Sequence, residues 1–195
     1  MVNPTQTHYK ALTRVLRYLK SSPGQGLFYP ATSPLPLKAL SDSDWGNCVV
    51  TRKSISSYCV FLGDSLIAWR CKKQQIVARS SSEAEYRALA ATSCEIQWLT
   101  FLLDSFFVSF ITHALLYCDS VFACHIANNV VFDERTKHID IDYHVVCEIL
   151  QHKLFHLLHV STIDQYADIL IEPLDLAPFH HLLSKMGILN INSLA

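Results

Sequence analysis

The stretch Ser80-Ser-Ser-Glu-Ala-Glu-Tyr-Arg-Ala-Leu89 decides how the rest of the chain is read. Ser82 with Glu85 three residues later makes a capping box, and Ser80 with Glu83 makes a second in the neighbouring register. Either box starts a helix and puts a glutamate in its first turn. Beyond it, Tyr86, Leu89, Ala90, Ile96, Leu99 and Leu103 recur at helical spacing, which predicts a helix to about residue 103 with those side chains in the core. Taken alone, both glutamates cap the helix and complement its dipole. Three further acids at expected strand or helix ends, Asp42, Asp119 and Asp168, change that reading.

Upstream, residues 37–45 read as a strand ending in Ser41-Asp-Ser-Asp-Trp45, and residues 56–62 and 66–70 as two strands flanking the hairpin turn Gly63-Asp64-Ser65. Residues 8–20 form an amphipathic helix carrying Leu12, Val15, Leu16 and Leu19, stopped by Ser22-Pro-Gly-Gln-Gly26, and residues 31–36 are a linker. Downstream, residues 114–118 are a short apolar strand running into Asp119-Ser120 and a helix to about residue 128. Arg135-Thr-Lys-His138 leads to a helix to about residue 151, and residues 154–160 are a strand. Asp164 is expected to cap a short helix over 166–170, and residues 177–186 make a last apolar helix. An antiparallel opening followed by alternating strands and helices implies a mixed α/β (α+β) fold, a five-stranded mixed sheet flanked by helices.

The chain has 195 residues, half of them hydrophobic and 17% charged, enough for one large domain with an ample core. The net charge of −1 hides a split. Residues 51–87 hold seven bases against three acids, and residues 104–175 eleven acids against three bases. A basic face beside an acidic pocket suits a metal-dependent enzyme acting on a polyanion. The seven cysteines contain no Cys-x-x-Cys pair, so neither a zinc site nor a disulfide framework follows; most are expected as small buried residues in a reducing compartment. The polar start carries no secretory signal, and the apolar run 99–116 is interrupted by Asp104 and His113, a poor membrane span and a good helix end followed by a buried strand.

The acids carry the chemistry. Asp42 and Asp44, two apart on a strand, share one face. If the strands of Asp42 and Asp119 lie side by side, Asp42, Glu85, Asp119 and Asp168 can converge, with Asp44 and Glu83 as alternates for the first two. Converging carboxylates repel one another, and a hard cation such as Mg²⁺ resolves this; a pair of ions supports in-line attack on a phosphodiester. Trp45 and Trp69 are expected in the core, and His125, His156 and His159 as packed or surface residues.

The chain resembles the ribonuclease H domain of the Pol polyprotein of copia-type long-terminal-repeat retrotransposons. The segments that carry the resemblance are Ser41-Asp-Ser-Asp-Trp-Gly46, Thr51-Arg-Lys-Ser54, Tyr58-Cys-Val-Phe-Leu-Gly63, Trp69 with Lys72-Lys-Gln74, and residues 80–89. They continue with Tyr117-Cys-Asp-Ser120, residues 135–142, His159-Val-Ser-Thr162 and Gln165-Tyr-Ala-Asp-Ile169. The resemblance implies a ribonuclease H-like fold and Mg²⁺-dependent endonucleolytic hydrolysis of the RNA strand of RNA–DNA hybrids during reverse transcription, with two ions and Mn²⁺ as an alternative. Its catalytic and metal-holding residues would be Asp42, Glu85, Asp119 and Asp168. Arg52, Lys53, Lys72, Lys73 and Arg79 are expected on the phosphates of the hybrid.

It further implies a division into residues 1–36 (helix and linker from the reverse transcriptase connection), 37–175 (the ribonuclease H-like domain) and 176–195 (a helical tail). The reverse transcriptase portion of the same polyprotein would be a partner, no membrane would be involved, and the setting would be the cytoplasm or a virus-like particle. Ser57, Val130, Cys147, Ile171 and Glu172 depart from the family's usual residues. They motivate the alternative of a decayed, inactive retroelement remnant that keeps the fold and weak nucleic-acid binding.

Overall fold

A computed structural model of the chain describes residues 3–108, 113–128, 139–190 and 192; Val130 and the Arg135–His138 segment lie outside the described residues. Helix α1 (Gln6–Ser21) starts where Thr5 Oγ accepts a hydrogen bond from the His8 amide. Its apolar stripe is not buried: Leu12, Val15, Leu16 and Leu19 are each more than half exposed. Strand β1 (Gln25–Leu27) follows, and then β2 (Leu37–Asp44), β3 (Ile55–Leu62) and β4 (Ser65–Lys73) form an antiparallel meander. The β3–β4 turn needs glycine. Gly63 has φ +61°, and a Cβ there would collide with the Pro34 carbonyl oxygen.

Helix α2 (Ser81–Ser105) crosses back to β5 (Ala114–Cys118), which is followed by α3 (Val121–Asn128), α4 (Asp140–Gln151) and β6 (Phe155–His159). Two 3-10 turns, Thr162–Asp164 and Tyr166–Leu170, lead to α5 (Leu176–Lys185) and β7 (Ile188–Asn190). The main sheet has the order β4-β3-β2-β5-β6, with β2, β5 and β6 parallel. It is the five-stranded mixed sheet the sequence implies.

Alternation along the strands sorts the core onto two faces. Leu37, Ala39, Tyr58, Val60 and Leu116 pack with Leu89, Ile96 and Leu99 of α2 and with Val146 of α4. Burying each leucine or isoleucine contributes about 1.5–3 kcal/mol, so α2 is held by this face rather than by its caps. On the other face Leu40, Cys59, Phe61 and Leu66 meet Met186, with Tyr166 and Ile169 packed against them. The second 3-10 turn therefore lies under β2 and β3, and that places Asp168.

Three expectations need correction. Residues 166–170 form a 3-10 turn, and its cap is Gln165, whose side chain accepts from the Ala167 amide; Asp164 does not cap it. Trp45 and Trp69 are 52% and 53% exposed; Trp45 lies just past the end of β2 and Trp69 on the edge strand β4. Among the cysteines only Cys59 and Cys118 are buried; Cys71 and Cys94 are exposed. A two-stranded antiparallel sheet, β1 with β7, joins residues near the two ends of the chain and had no sequence signal.

Candidate active site

The two overlapping capping boxes are resolved by the neighbours of the helix. Ser80 is the cap of α2, its Oγ accepting from the Glu83 amide at 3.2 Å. The Glu83 carboxylate accepts from the Arg79 amide (2.8 Å) and pairs with Arg87 (3.0 Å), which also binds Asp142 (3.1 Å). The Ser82–Glu85 box is not formed. Two residues on from Glu83 is about 200° around the helix, so Glu85 points at the sheet instead.

Strand register brings the next two acids together. Ser41 and Cys118 are the last pair of the parallel β2–β5 ladder, so Asp42 and Asp119 follow side by side at the carboxyl ends of both strands. Asp119 is not needed as a helix cap, because Ser120 Oγ accepts from the Ala123 amide at 3.2 Å. Asp44, the alternate for Asp42, takes a hydrogen bond from Asn47 Nδ2 beyond the strand end.

Asp168 arrives from the opposite direction. Its turn is tied to the sheet by Ser57 Oγ, which donates to the Ala167 carbonyl at 3.1 Å, and by Gln165. The Gln165 Nε2 donates to the Ser41 carbonyl (3.0 Å) and to Asp119 Oδ1 (3.4 Å) from a fully buried position. Ser57, a departure from the family pattern, thus acts as a tether.

Asp42, Glu85 and Asp168 are each at least nine-tenths buried and Asp119 is half-buried. Burial raises the carboxyl of Asp42 above the ordinary range, and the Asp119 charge adds to it, although a hydrogen bond from Asp168 offsets part of the rise. Burial, then the charges of Asp42 and Asp119, pushes Glu85 further up. Burial and Asp42 do the same to Asp168. Among the described residues no cationic side chain offsets the raised carboxyls of Asp42, Glu85 and Asp168. The exposed Glu172, another departure, adds its negative charge to Asp42 and Asp168.

These residues fit a divalent cation. The buried Glu85 Oε2 has no hydrogen-bond partner, and one ligand atom each from Glu85, Cys118 and Asp119 lie within 4.8 Å of one another. Oxygen donors of this number and charge suit a hard ion.

Of the basic candidates, Arg52, Lys72, Lys73 and Arg79 are exposed and Lys53 half-buried. Lys72 and Lys73 border a cleft of about 370 Å³ with Arg70, Gln74, Arg87 and Asp142. That cleft opens on the α2 side of the sheet, beside the carboxylates rather than over them. His159, one of the exposed histidines, has Nε2 3.1 Å from the Asp119 carbonyl oxygen. Gln165 had been legible only as part of a motif; nothing local marked it as buried.

The strand order and the helices packed on it define a ribonuclease H-like fold. The same fold is seen in LC11-RNase H1, isolated from compost by a metagenomic approach, with TM-score 0.52, 14% identity, and coverage of 69% of this chain and 91% of that one. The chain is homologous to one segment of the retrovirus-related Pol polyproteins of transposons. It is 42% identical over 188 residues, 96% of its length, to the Pol polyprotein from transposon RE1 of Arabidopsis thaliana, and spans 13% of that protein. It is 34% identical over 168 residues, 86% of its length, to that from transposon TNT 1-94 of Nicotiana tabacum, spanning 12% of it. No family model matches the chain. No described helix is long and apolar enough to cross a membrane.

Proposed function

We propose that the chain is a divalent-metal-dependent endonuclease that hydrolyses the RNA strand of RNA–DNA hybrids, using Asp42, Glu85, Asp119 and Asp168. The observation that carries this reading is the meeting of four carboxylates from β2, α2, β5 and the 3-10 turn, with Glu85 Oε2 buried and unpartnered. Asp42, Glu85, Asp119 and Asp168 would hold two Mg²⁺ ions, or Mn²⁺; bound there, such ions polarise a phosphoryl oxygen and acidify water. Glu85 and Asp168, whose carboxyls burial raises, would have to be ionised to hold an ion, and Gln165 donates to Asp119 Oδ1.

Lys72, Lys73, Arg52, Lys53 and Arg79 support a polyanionic substrate, whose 2′-hydroxyls mark the strand to be cut. We further assign the exposed stripe of α1 to contact with the reverse transcriptase portion of a longer polyprotein, in the reducing cytoplasm or a virus-like particle, with residues 37–175 as the hydrolytic unit.

The test is a labelled hybrid incubated with the chain and Mg²⁺, repeated with Asp119→Asn. Cleavage of the RNA strand that the substitution abolishes supports the enzyme. Binding that persists without Mg²⁺ and without cleavage would instead identify the inactive remnant suggested by Ile171 and Glu172.

Two expected results arise from the electrostatics. Because the three buried carboxyls have raised pKa values in the fold, the stability they contribute is present below the unfolded carboxyl value of about 4 and is lost as pH rises. Mg²⁺ opposes that loss but must compete with the protons. At about ten times its Kd it should stabilise by about 1.4 kcal/mol, about 3–6 °C for a chain of this size, at pH 8. Differential scanning fluorimetry should show this shift shrinking towards zero at pH 5; an equal shift at both pH values removes the carboxylates from ion binding.

Replacing Lys72 and Lys73 together by alanine should weaken hybrid binding at low salt. The slope of log K against log salt should flatten by about 1.4–1.8, since each phosphate contact contributes about 0.7–0.9. An unchanged slope places neither lysine on a phosphate.

A further inference from the structure

The carboxylate cluster contains a thiol that the proposed hydrolysis does not use. Cys118, the last residue of β5, is fully buried and stands beside Ser41 in the parallel ladder. Its sulfur and one oxygen each from Glu85 and Asp119 lie within 4.8 Å of one another. Two buried oxygens around it have no partner, Glu85 Oε2 and the Ser41 hydroxyl, and Glu85 is only 9% exposed. Leaving such groups unpaired costs about 1–3 kcal/mol each, so this corner is built for a ligand the chain does not supply. A second thiol, that of Cys124 in the first turn of α3, donates to the Cys118 carbonyl oxygen at 4.0 Å.

We propose that Cys118, Glu85 and Asp119 form a site for a thiophilic divalent ion of the Zn²⁺ class, bound through one thiolate and two carboxylate oxygens. Hard ions such as Mg²⁺ gain little from sulfur, whereas Zn²⁺ takes mixed sulfur and oxygen ligands at four-coordinate sites. On binding, the Cys118 S–H proton and the proton of Glu85, where that carboxyl is protonated, pass to solvent and the sulfur forms the bond to the metal; a water fills the fourth position. Asp119, the half-buried member, gives the route in. The inference rests on the hydrolytic reading only in sharing Glu85 and Asp119 with it. Where both hold, a thiophilic ion occupies the two carboxylates that hydrolysis needs and switches the enzyme off.

The full chain titrated with Co²⁺, a spectroscopic stand-in for Zn²⁺, should develop thiolate-to-cobalt charge-transfer absorption that saturates near one equivalent. Zn²⁺ should erase it and an equal concentration of Mg²⁺ should not. Cys118→Ser should lack the band and, in competition with a chromophoric chelator, bind Zn²⁺ more than about a hundredfold more weakly, beyond the ten- to hundredfold cost of losing a merely supporting residue. The metal-free thermal transition of that variant reports whether it folds. If it does not, X-ray absorption of the Zn²⁺-loaded wild type reads the same point, through a sulfur shell at about 2.3 Å.

No band in the wild type, a band that survives in folded Cys118→Ser, or a shell of oxygen and nitrogen alone overturns the proposal. A band without Mg²⁺-dependent cleavage overturns the hydrolytic reading and leaves this one standing. Cleavage without a band does the reverse.

Discussion

Asp42→Asn is expected to reduce Mg²⁺-dependent cleavage of the hybrid by about a hundredfold or more while making the ion-free protein more stable. The two effects have one cause. Asp42 sits at the centre of the cluster, hydrogen-bonded to both Glu85 and Asp168, and burial pushes its carboxyl up to about 6. A group whose folded pKa is raised contributes stability below its unfolded value and loses it as pH rises, here from about 4 to about 6. Asparagine keeps the shape and cannot ionise. The variant should therefore match the wild type near pH 4 and exceed it by about 2 kcal/mol at pH 7, read from urea midpoints in chelator. The missing charge is the one that would hold the ions, so what stabilises the empty fold removes the activity. A variant that cleaves within about tenfold of the wild type would take Asp42 out of the reaction. One that loses both activity and stability would show that Asp42 has a structural role instead.

Features set by local interactions were legible in the sequence, and those set by distant ones were not. The hairpin around Gly63, strand β5 and the buried face of α2 are written in nearest-neighbour patterns, and the structure has them where those patterns put them. Asp42 and Asp119 could be paired from sequence because one lies near the end of a strand and the other just after one, and the carboxyl ends of strands are where side chains of an α/β sheet converge. The choice between Ser80 and Ser82 as cap was not local. Two equivalent boxes overlap, and the ion pairs of Arg87 with Glu83 and Asp142 decide between them across 55 residues.

The same holds for the rest. Three-residue strands such as β1 and β7 carry no periodicity, and their pairing depends on the chain closing over more than 160 residues. Trp45 and Trp69 show the limit of reading burial from residue type: each is about half exposed, one past the end of β2 and the other on the edge strand β4. Cys118 looked like an inert apolar thiol until the packing of α2 on the sheet put it near Glu85.

Gln165 is the residue on which the site's shape depends most, and its loss is the second large effect expected. Its amide is fully buried and makes three hydrogen bonds at once. The Nε2 serves the Ser41 carbonyl and Asp119 Oδ1, and the oxygen accepts from the Ala167 amide. Gln165→Ala leaves the Ser41 and Ala167 backbone groups buried without those partners, at about 1–3 kcal/mol each, and opens a cavity as well. Relaxation and water entry recover part of this, so a loss of about 3–4 kcal/mol is expected in urea unfolding.

Cleavage should fall by more than destabilisation alone explains, because Asp168 is three residues on in the same turn and Asp119 loses its anchor. The comparison that isolates the positioning role is Gln165→Met. It fills most of the volume, removes the hydrogen bonds, and should regain part of the stability while staying about as inactive as alanine. If methionine restored cleavage in proportion to stability, Gln165 would be packing alone, and the convergence of Asp119 with Asp168 would have to be credited to the Ser57 tether instead.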